Sequence, residues 1–152
     1  MDAAAARKPG ILSARQVGEL LEREFSQMFH RDSGTTIEDA WLGGCRIRRA
    51  FNERFLRPGG TISGPTMMGM TDFAMYVAIL ASIGPVPLAV TTSLNINFLR
   101  KPEQRDLIAE ARLIKLGKRL AVGEVEIYSD GDDEMVAHAT ATYSIPPPEQ
   151  RG

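Results

Sequence analysis

The chain has 152 residues, 43% of them hydrophobic and 24% charged, and a formal net charge of −1. That length suits one domain able to bury roughly two thirds of its unfolded surface, and the composition excludes a disordered chain. The near-neutral charge argues against a dedicated nucleic-acid binder. The one cysteine, Cys45, cannot form an internal disulfide, and His30 and His138 lie too far apart in sequence to suggest a zinc site.

Residues 1–10, MDAAAARKPG, read as a flexible tail without the leucine-rich core of a signal peptide. Ser13 is a candidate N-cap for a helix to about Phe29, with Val17, Leu20, Leu21, Phe25, Met28 and Phe29 near helical spacing. Residues 35–42 are strand-like, and Gly43-Gly44 marks a turn. In CRIRRAF, Cys45 and Ile47 alternate with Arg46 and Arg48, as on a strand with one buried face. RPGGTISGP, residues 57–65, is a glycine-rich loop.

The next segment predicts a long helix over residues 66–82. Pro65 suits its first turn, where a missing N–H costs nothing, and Gly84-Pro85 stops it. Apolar residues on nearly every face predict an enclosed helix. It could be mistaken for a membrane span, but Asp72 interrupts it and Gly84, Pro85 and Pro87 end it. A core helix in a cytoplasmic protein is expected, with no membrane partner.

Beyond Pro87 the texture turns to strands. LAVTTSLNINFL alternates, with Val90, Leu94, Ile96 and Phe98 on related faces. Residues 105–145 divide into three strands, with Gly117 in the first hairpin turn and Asp130-Gly131 in the second. Val122, Gly123, Val125 and Ile127 against Glu124 and Glu126 read as a sheet with one wet face. Residues 147–152, opened by prolines, form a C-terminal tail, leaving 11–146 as a single domain. Four closely connected antiparallel strands need a cover for their apolar face, and the long helix supplies it. The fold class expected is α+β: an antiparallel sheet wrapped around a long central helix, with an N-terminal helix outside. That is the architecture of a hotdog fold.

Asp72 is the one charged side chain between Thr61 and Leu99. A carboxylate on an enclosed helix must be paired, hydrogen-bonded or protonated. Taken alone, it serves equally well as a structural hydrogen-bond acceptor or as a functional acid.

Three stretches carry a family likeness: GGTISGPTMMGMTDFAMYVA, LNINFLRKP and GKRLAVGEVEIYSDGDDEMVAHATATYSIP. Through them, over residues 46–146, the chain resembles the hotdog-fold acyl-CoA thioesterases, and within them the PaaI-like branch. The family places an acid on the central helix nine residues after a histidine that opens a histidine-glycine-glycine motif. Asp72 matches the acid. Ser63 stands in the histidine position, Gly64 matches the first glycine, and Pro65 replaces the second. Arg57 stands where many members carry an asparagine, and Thr91 matches a hydroxyl residue at the start of the following strand.

The resemblance implies hydrolysis of an acyl-CoA or related thioester, with Asp72 as general base or nucleophile and the Gly64 N–H as oxyanion donor. It implies that the two face each other across a dimer interface, in a dimer or a tetramer, and that no metal or redox cofactor takes part. Thr91 would orient the water or the carboxylate, and Ser63 would donate to the carbonyl or hold the loop. Phosphates of coenzyme A ask for cations, for which Arg57, Arg100, Lys101, Lys118 and Arg119 are candidates. A Ser-His-Asp triad is disfavoured, because neither histidine sits in a motif. Two other readings remain: a hotdog protein that binds such a ligand without cleaving it, and a hydratase or dehydratase, which would usually pair the acid with a histidine.

Overall fold

The structure is a computed structural model and describes residues 7–150. Residues 1–6 of the expected N-terminal tail and residues 151 and 152 of the C-terminal one lie outside the described residues. Arg7 to Gly10 are tied down. The Arg7 guanidinium lies 3.6 Å over the Trp41 ring, and the Lys8 carbonyl accepts the Leu42 N–H at 2.8 Å.

Helix α1 (Ala14–Glu24) is capped as expected: Ser13 Oγ accepts the Gln16 N–H, and Gln16 Oε1 accepts the Ser13 N–H. It stops short of Phe29 because Phe25 leaves helical dihedrals. Its ring instead meets Tyr76 edge-on, and the Phe29 ring stacks on Phe73. Both aromatics anchor the segment to the central helix.

Strands β1 (Thr35–Trp41) and β2 (Gly44–Arg49) form a hairpin, and β3 (Leu56–Arg57) with β4 (Thr61–Ile62) a second, tiny one within the glycine-rich loop. The central helix α2 spans Gly64–Ile83, two residues earlier at its start than the sequence predicts, because Ser63 caps it; Pro65 lies in its first turn as expected. Gly84 ends it with φ +93°, a left-handed conformation that favours glycine, while its N–H still reaches Leu80 O. By length and composition α2 could cross a membrane, but most of it is buried inside the fold, as in the core helix of a globular domain.

Strands β5 (Val90–Phe98), β6 (Leu107–Leu116), β7 (Leu120–Ser129) and β8 (Met135–Ser144) complete a six-stranded antiparallel sheet of order β1-β2-β6-β7-β8-β5. The sheet wraps α2, as a hotdog fold requires. The four late strands are not one simple meander. β5 pairs with β8 and forms the sheet edge, while β6 turns back to pair with β2. Cys45 and Ile47 face the core and Arg46 and Arg48 the outside, as their alternation predicts. Val122 is a correction: it shares the outer phase with Glu124 and Glu126, and Ala121 and Gly123 point inward.

The inner phase of β7 shows how tightly α2 is held. A Cβ on Gly123 would stand 2.6 Å from Met75 Sδ and 3.0 Å from the Arg112 carbonyl oxygen, and Met75 is fully buried. Gly123→Val is therefore expected to destabilise the fold by about 1–3 kcal/mol, read as a lower thermal midpoint. An unchanged midpoint would show that the helix can shift off the sheet.

Candidate functional site

The glycine-rich loop delivers the N-terminus of α2. Ser63 is its N-cap, with Oγ 2.8 Å from Thr66 Oγ1 and accepting the Thr66 N–H at 3.4 Å. Its hydroxyl is thus engaged within the first turn. Gly64 and Pro65 follow as the first helical residues. The Gly64 N–H belongs to the turn that lacks intrahelical acceptors, at the end of the helix that favours negative charge. No acidic residue lies in that turn. A cleft of about 870 Å³ opens here, and Arg57, Ser63, Gly64, Pro65, Arg100 and Lys101 all line it. The sequence candidates for oxyanion and cation roles are therefore brought together. The Arg100 guanidinium pairs with Glu134. Lys118 and Arg119 are not part of this cleft. They sit in the β6–β7 turn, where the Arg119 carbonyl accepts the Ile145 N–H at 2.8 Å.

Asp72 stands two turns further along α2. It is half-buried, which corrects the expectation of a fully enclosed helix. Pro65, Met68 and Gly69 are exposed on α2, and Asp72 and Phe73 are partly open. The carboxylate is held from two strands. Thr91 Oγ1 at the start of β5 donates to Oδ1, and so does the Tyr143 hydroxyl near the end of β8, at 2.8 Å. The same hydroxyl lies 3.0 Å from the Asp72 backbone carbonyl. Tyr143 is only 3% exposed and stacks on Tyr76, whose own hydroxyl donates to Pro87 O at 2.8 Å. Burial pushes the Tyr143 phenol well above its ordinary range, so it remains a donor at all working pH values.

A cavity of about 480 Å³ opens beside the carboxylate, walled by the rings of Phe25, Phe73, Tyr76 and Tyr143. Thr91 also lines it. The methionines of α2 are split between core and surface. Met67, Met70 and Met75 are core, while Met68 is 42% exposed on the open stripe.

Tyr143 is the residue that sequence reasoning missed. The available signal was the inward phase of β8, where Ala137, Ala139 and Ala141 lead to a single large polar-tipped side chain. His138 lies on the opposite phase and meets Glu124 Oε2 at 3.1 Å on the outer face, and the His30 ring accepts the Asp32 N–H. Neither histidine bonds Ser63 or Asp72, so no Ser-His-Asp triad forms among the described residues. Nor, among them, does any group of three or more His, Cys, Asp or Glu side chains have the placement to hold a metal ion.

Gly64 and Asp72 are eight residues apart on one helix, about 12 Å along its axis. One substrate carbonyl cannot touch both within a single chain. The amide-donor cleft at one end of α2 and the carboxylate cavity near its middle are therefore separate features of the chain.

The family model described as Thioesterase superfamily matches residues 59–136, a range that includes Gly64, Asp72 and Thr91. A protein of Saccharolobus solfataricus provisionally named an esterase is 33% identical over 135 residues, covering 89% of this chain and 87% of the relative. Among solved structures, one from Silicibacter sp. TM1040, provisionally named a thioesterase, superposes with a TM-score of 0.81 at 42% identity, over 90% of this chain and 94% of that one. Another, from Ralstonia eutropha JMP134 and described as a phenylacetic acid degradation-related thioesterase, gives a TM-score of 0.63 at 28% identity, over 68% of this chain and 77% of that one.

Proposed function

The chain belongs to the thioesterase superfamily, and from that membership we propose that it hydrolyses acyl-CoA or a closely related acyl thioester at a site shared by two subunits. The observation that carries this is the Asp72 carboxylate, oriented by Thr91 and Tyr143 and open to a cavity. Either it takes a proton from water attacking the thioester carbon, or it attacks that carbon itself. The Gly64 N–H of the partner subunit receives the developing oxyanion. The bond broken is carbon–sulfur, the products are the free acid and the thiol, and the balance needs no redox partner or metal. A cytoplasmic location completes the proposal.

In this reading the subunits pair through β5. It is a sheet edge nine residues long, VTTSLNINF, without the lysine or proline that commonly blocks edge pairing. Val90 and Phe98 are 56% and 49% exposed at its two ends. A second copy pairing antiparallel about the middle of β5 would set the Thr91 end of one strand beside the Phe98 end of the other. Asp72 is bonded to Thr91, and Gly64 packs against the Phe98 ring. The same two-fold axis would therefore bring Asp72 towards Gly64 of the partner subunit.

A panel of acyl-CoA thioesters with detection of free thiol tests the activity. Release of thiol over many turnovers is expected. Saturable binding without thiol release would support the alternative, a hotdog protein that holds its ligand uncleaved. That alternative draws on Ser63 and Arg57 standing where the family has its histidine and asparagine, and on the Ser63 hydroxyl being engaged by Thr66.

The Gly64 cleft gives a further expectation. Arg57 and Lys101 line it, and in this reading they meet phosphate rather than take part in the chemistry. Arg57→Ala and Lys101→Ala are each expected to raise KM for acyl-CoA by about 3- to 10-fold at low salt, less at high salt, with kcat kept. Steady-state kinetics at two ionic strengths checks this. An unchanged KM at low salt would remove these residues from the binding surface.

A further inference from the structure

The two oxygens of Asp72 differ in their surroundings. Oδ1 accepts both the Tyr143 and the Thr91 hydroxyls. Oδ2 takes no hydrogen bond among the described residues, yet no buried polar side-chain atom there is left unsatisfied, so Oδ2 is open to solvent. A carboxylate with one oxygen saturated by donors and the other open is set to use the open one.

We propose that Tyr143 is a positioning residue, which with Thr91 pins Oδ1 and thereby makes Oδ2 the reacting oxygen of Asp72. The inference rests on the thioesterase reading of the same site. Tyr143 is suited to the task on three counts. Its hydroxyl reaches the side chain and the backbone carbonyl of the same residue, which fixes rotation of the carboxylate about its own bonds. Its ring is locked against Tyr76 and almost wholly buried, so the donor does not wander. It comes from β8, whereas Thr91 comes from β5, so the carboxylate is clamped between two strands and a helix.

In the general-base course, water attacks the thioester carbon and its proton passes to Oδ2. The tetrahedral intermediate then expels the thiolate, which takes that proton, and Oδ2 is ionised again. In the nucleophilic course, Oδ2 bonds to the acyl carbon as the thiolate leaves, and water hydrolyses the anhydride. Both courses leave the Tyr143 proton in place. Around the carboxylate the facing groups that titrate are Tyr143 from β8 and Tyr76 from α2 itself. Glu24, at the end of α1, acts on Tyr76. Phe25 and Met28 beyond α1, and Pro87, Ala89 and Val90 before and within β5, carry no charge.

The test compares Tyr143→Phe with Tyr76→Phe and Asp72→Asn in the intact protein. Tyr143→Phe removes one oxygen and keeps the stacked ring. It is expected to lower kcat by about 10- to 100-fold with little change in KM. Tyr76→Phe also deletes a buried hydroxyl, but one bonded to Pro87, and is expected to lower kcat far less. Should Tyr143→Phe not fold, Thr91→Val removes the other donor to Oδ1 and is expected to lower kcat in the same way, again with KM little changed.

A wild-type kcat in Tyr143→Phe, with Asp72→Asn inactive, would overturn the inference and leave the thioesterase reading standing. An equal loss of kcat in Tyr76→Phe would also overturn it, as a general effect of loosening the core. Full turnover by Asp72→Asn would instead remove the thioesterase reading itself.

Discussion

Asp72→Asn is expected to lower kcat/KM for acyl-CoA thioesters by about 100- to 10,000-fold, while the protein melts within a few degrees of the wild type. The substitution is nearly isosteric. Its amide oxygen can still accept from Thr91 and Tyr143, so the clamp between β5, α2 and β8 is kept. What replaces Oδ2 is an NH2 group, which can neither take a proton from water nor attack a carbonyl. The half-buried position also argues for a mild structural effect, because the open side of the carboxylate borders a cavity and not the packed core. Thiol release and a thermal melt, measured on the same preparation, check both halves. Wild-type turnover would show that Asp72 is only a bracket between strands.

The second expectation concerns the partner subunit. Gly64→Pro removes one N–H at a helical position where proline is tolerated. The preceding Ser63, at φ −69° and ψ 151°, already has the extended backbone that proline requires. The new ring carbon would lie 3.2 Å from Phe98, whose ring is half-exposed and able to give way. Loss of an oxyanion donor is expected to cost about 100- to 1,000-fold in kcat. Asp72→Asn and Gly64→Pro should therefore each be nearly inactive as homo-oligomers.

Mixed and allowed to exchange subunits, the two variants are expected to recover about a quarter of wild-type activity. Half of the dimers are then mixed, and each mixed dimer holds one site with an intact acid from one subunit and an intact amide from the other. No recovery, in a mixture shown to exchange, would place the acid and its oxyanion donor in the same chain. The 12 Å separation along α2 would then have to be bridged by another donor.

Several elements were legible because their causes are local. Ser13 sits next to the amides it caps, and Gly84 next to the carbonyls it closes off. The phase of Cys45 and Ile47 against Arg46 and Arg48 needs only the two-residue repeat of a strand. Gly117 and the Asp130-Gly131 pair fall in the turns assigned to them, since their backbone freedom is a property of the residues themselves. Asp72 stood out because a charge is costly among apolar neighbours on a helix, wherever that helix packs.

What depends on distant partners was not legible. That β5 pairs with β8 and forms an edge depends on which strands win a competition among similar alternating segments. Val122 falls on the outer face, between Ala121 and Gly123, because Met75 of α2 presses so close to the backbone of β7 that Gly123 must face it. Tyr143 lies 71 residues from Asp72, and no spacing rule connects them.

Local chemistry in the chain thus dictates the caps, the turns, the strand phases and the presence of one misfit acid. Packing selects which hydroxyls reach that acid, which of its oxygens stays open, and which strand is left as the edge of the sheet. The physical reason is range. Capping and alternation are settled within a turn or a pleat, whereas the surroundings of a carboxylate are assembled from α2, β5 and β8, brought together only when the apolar face of the sheet closes over the helix.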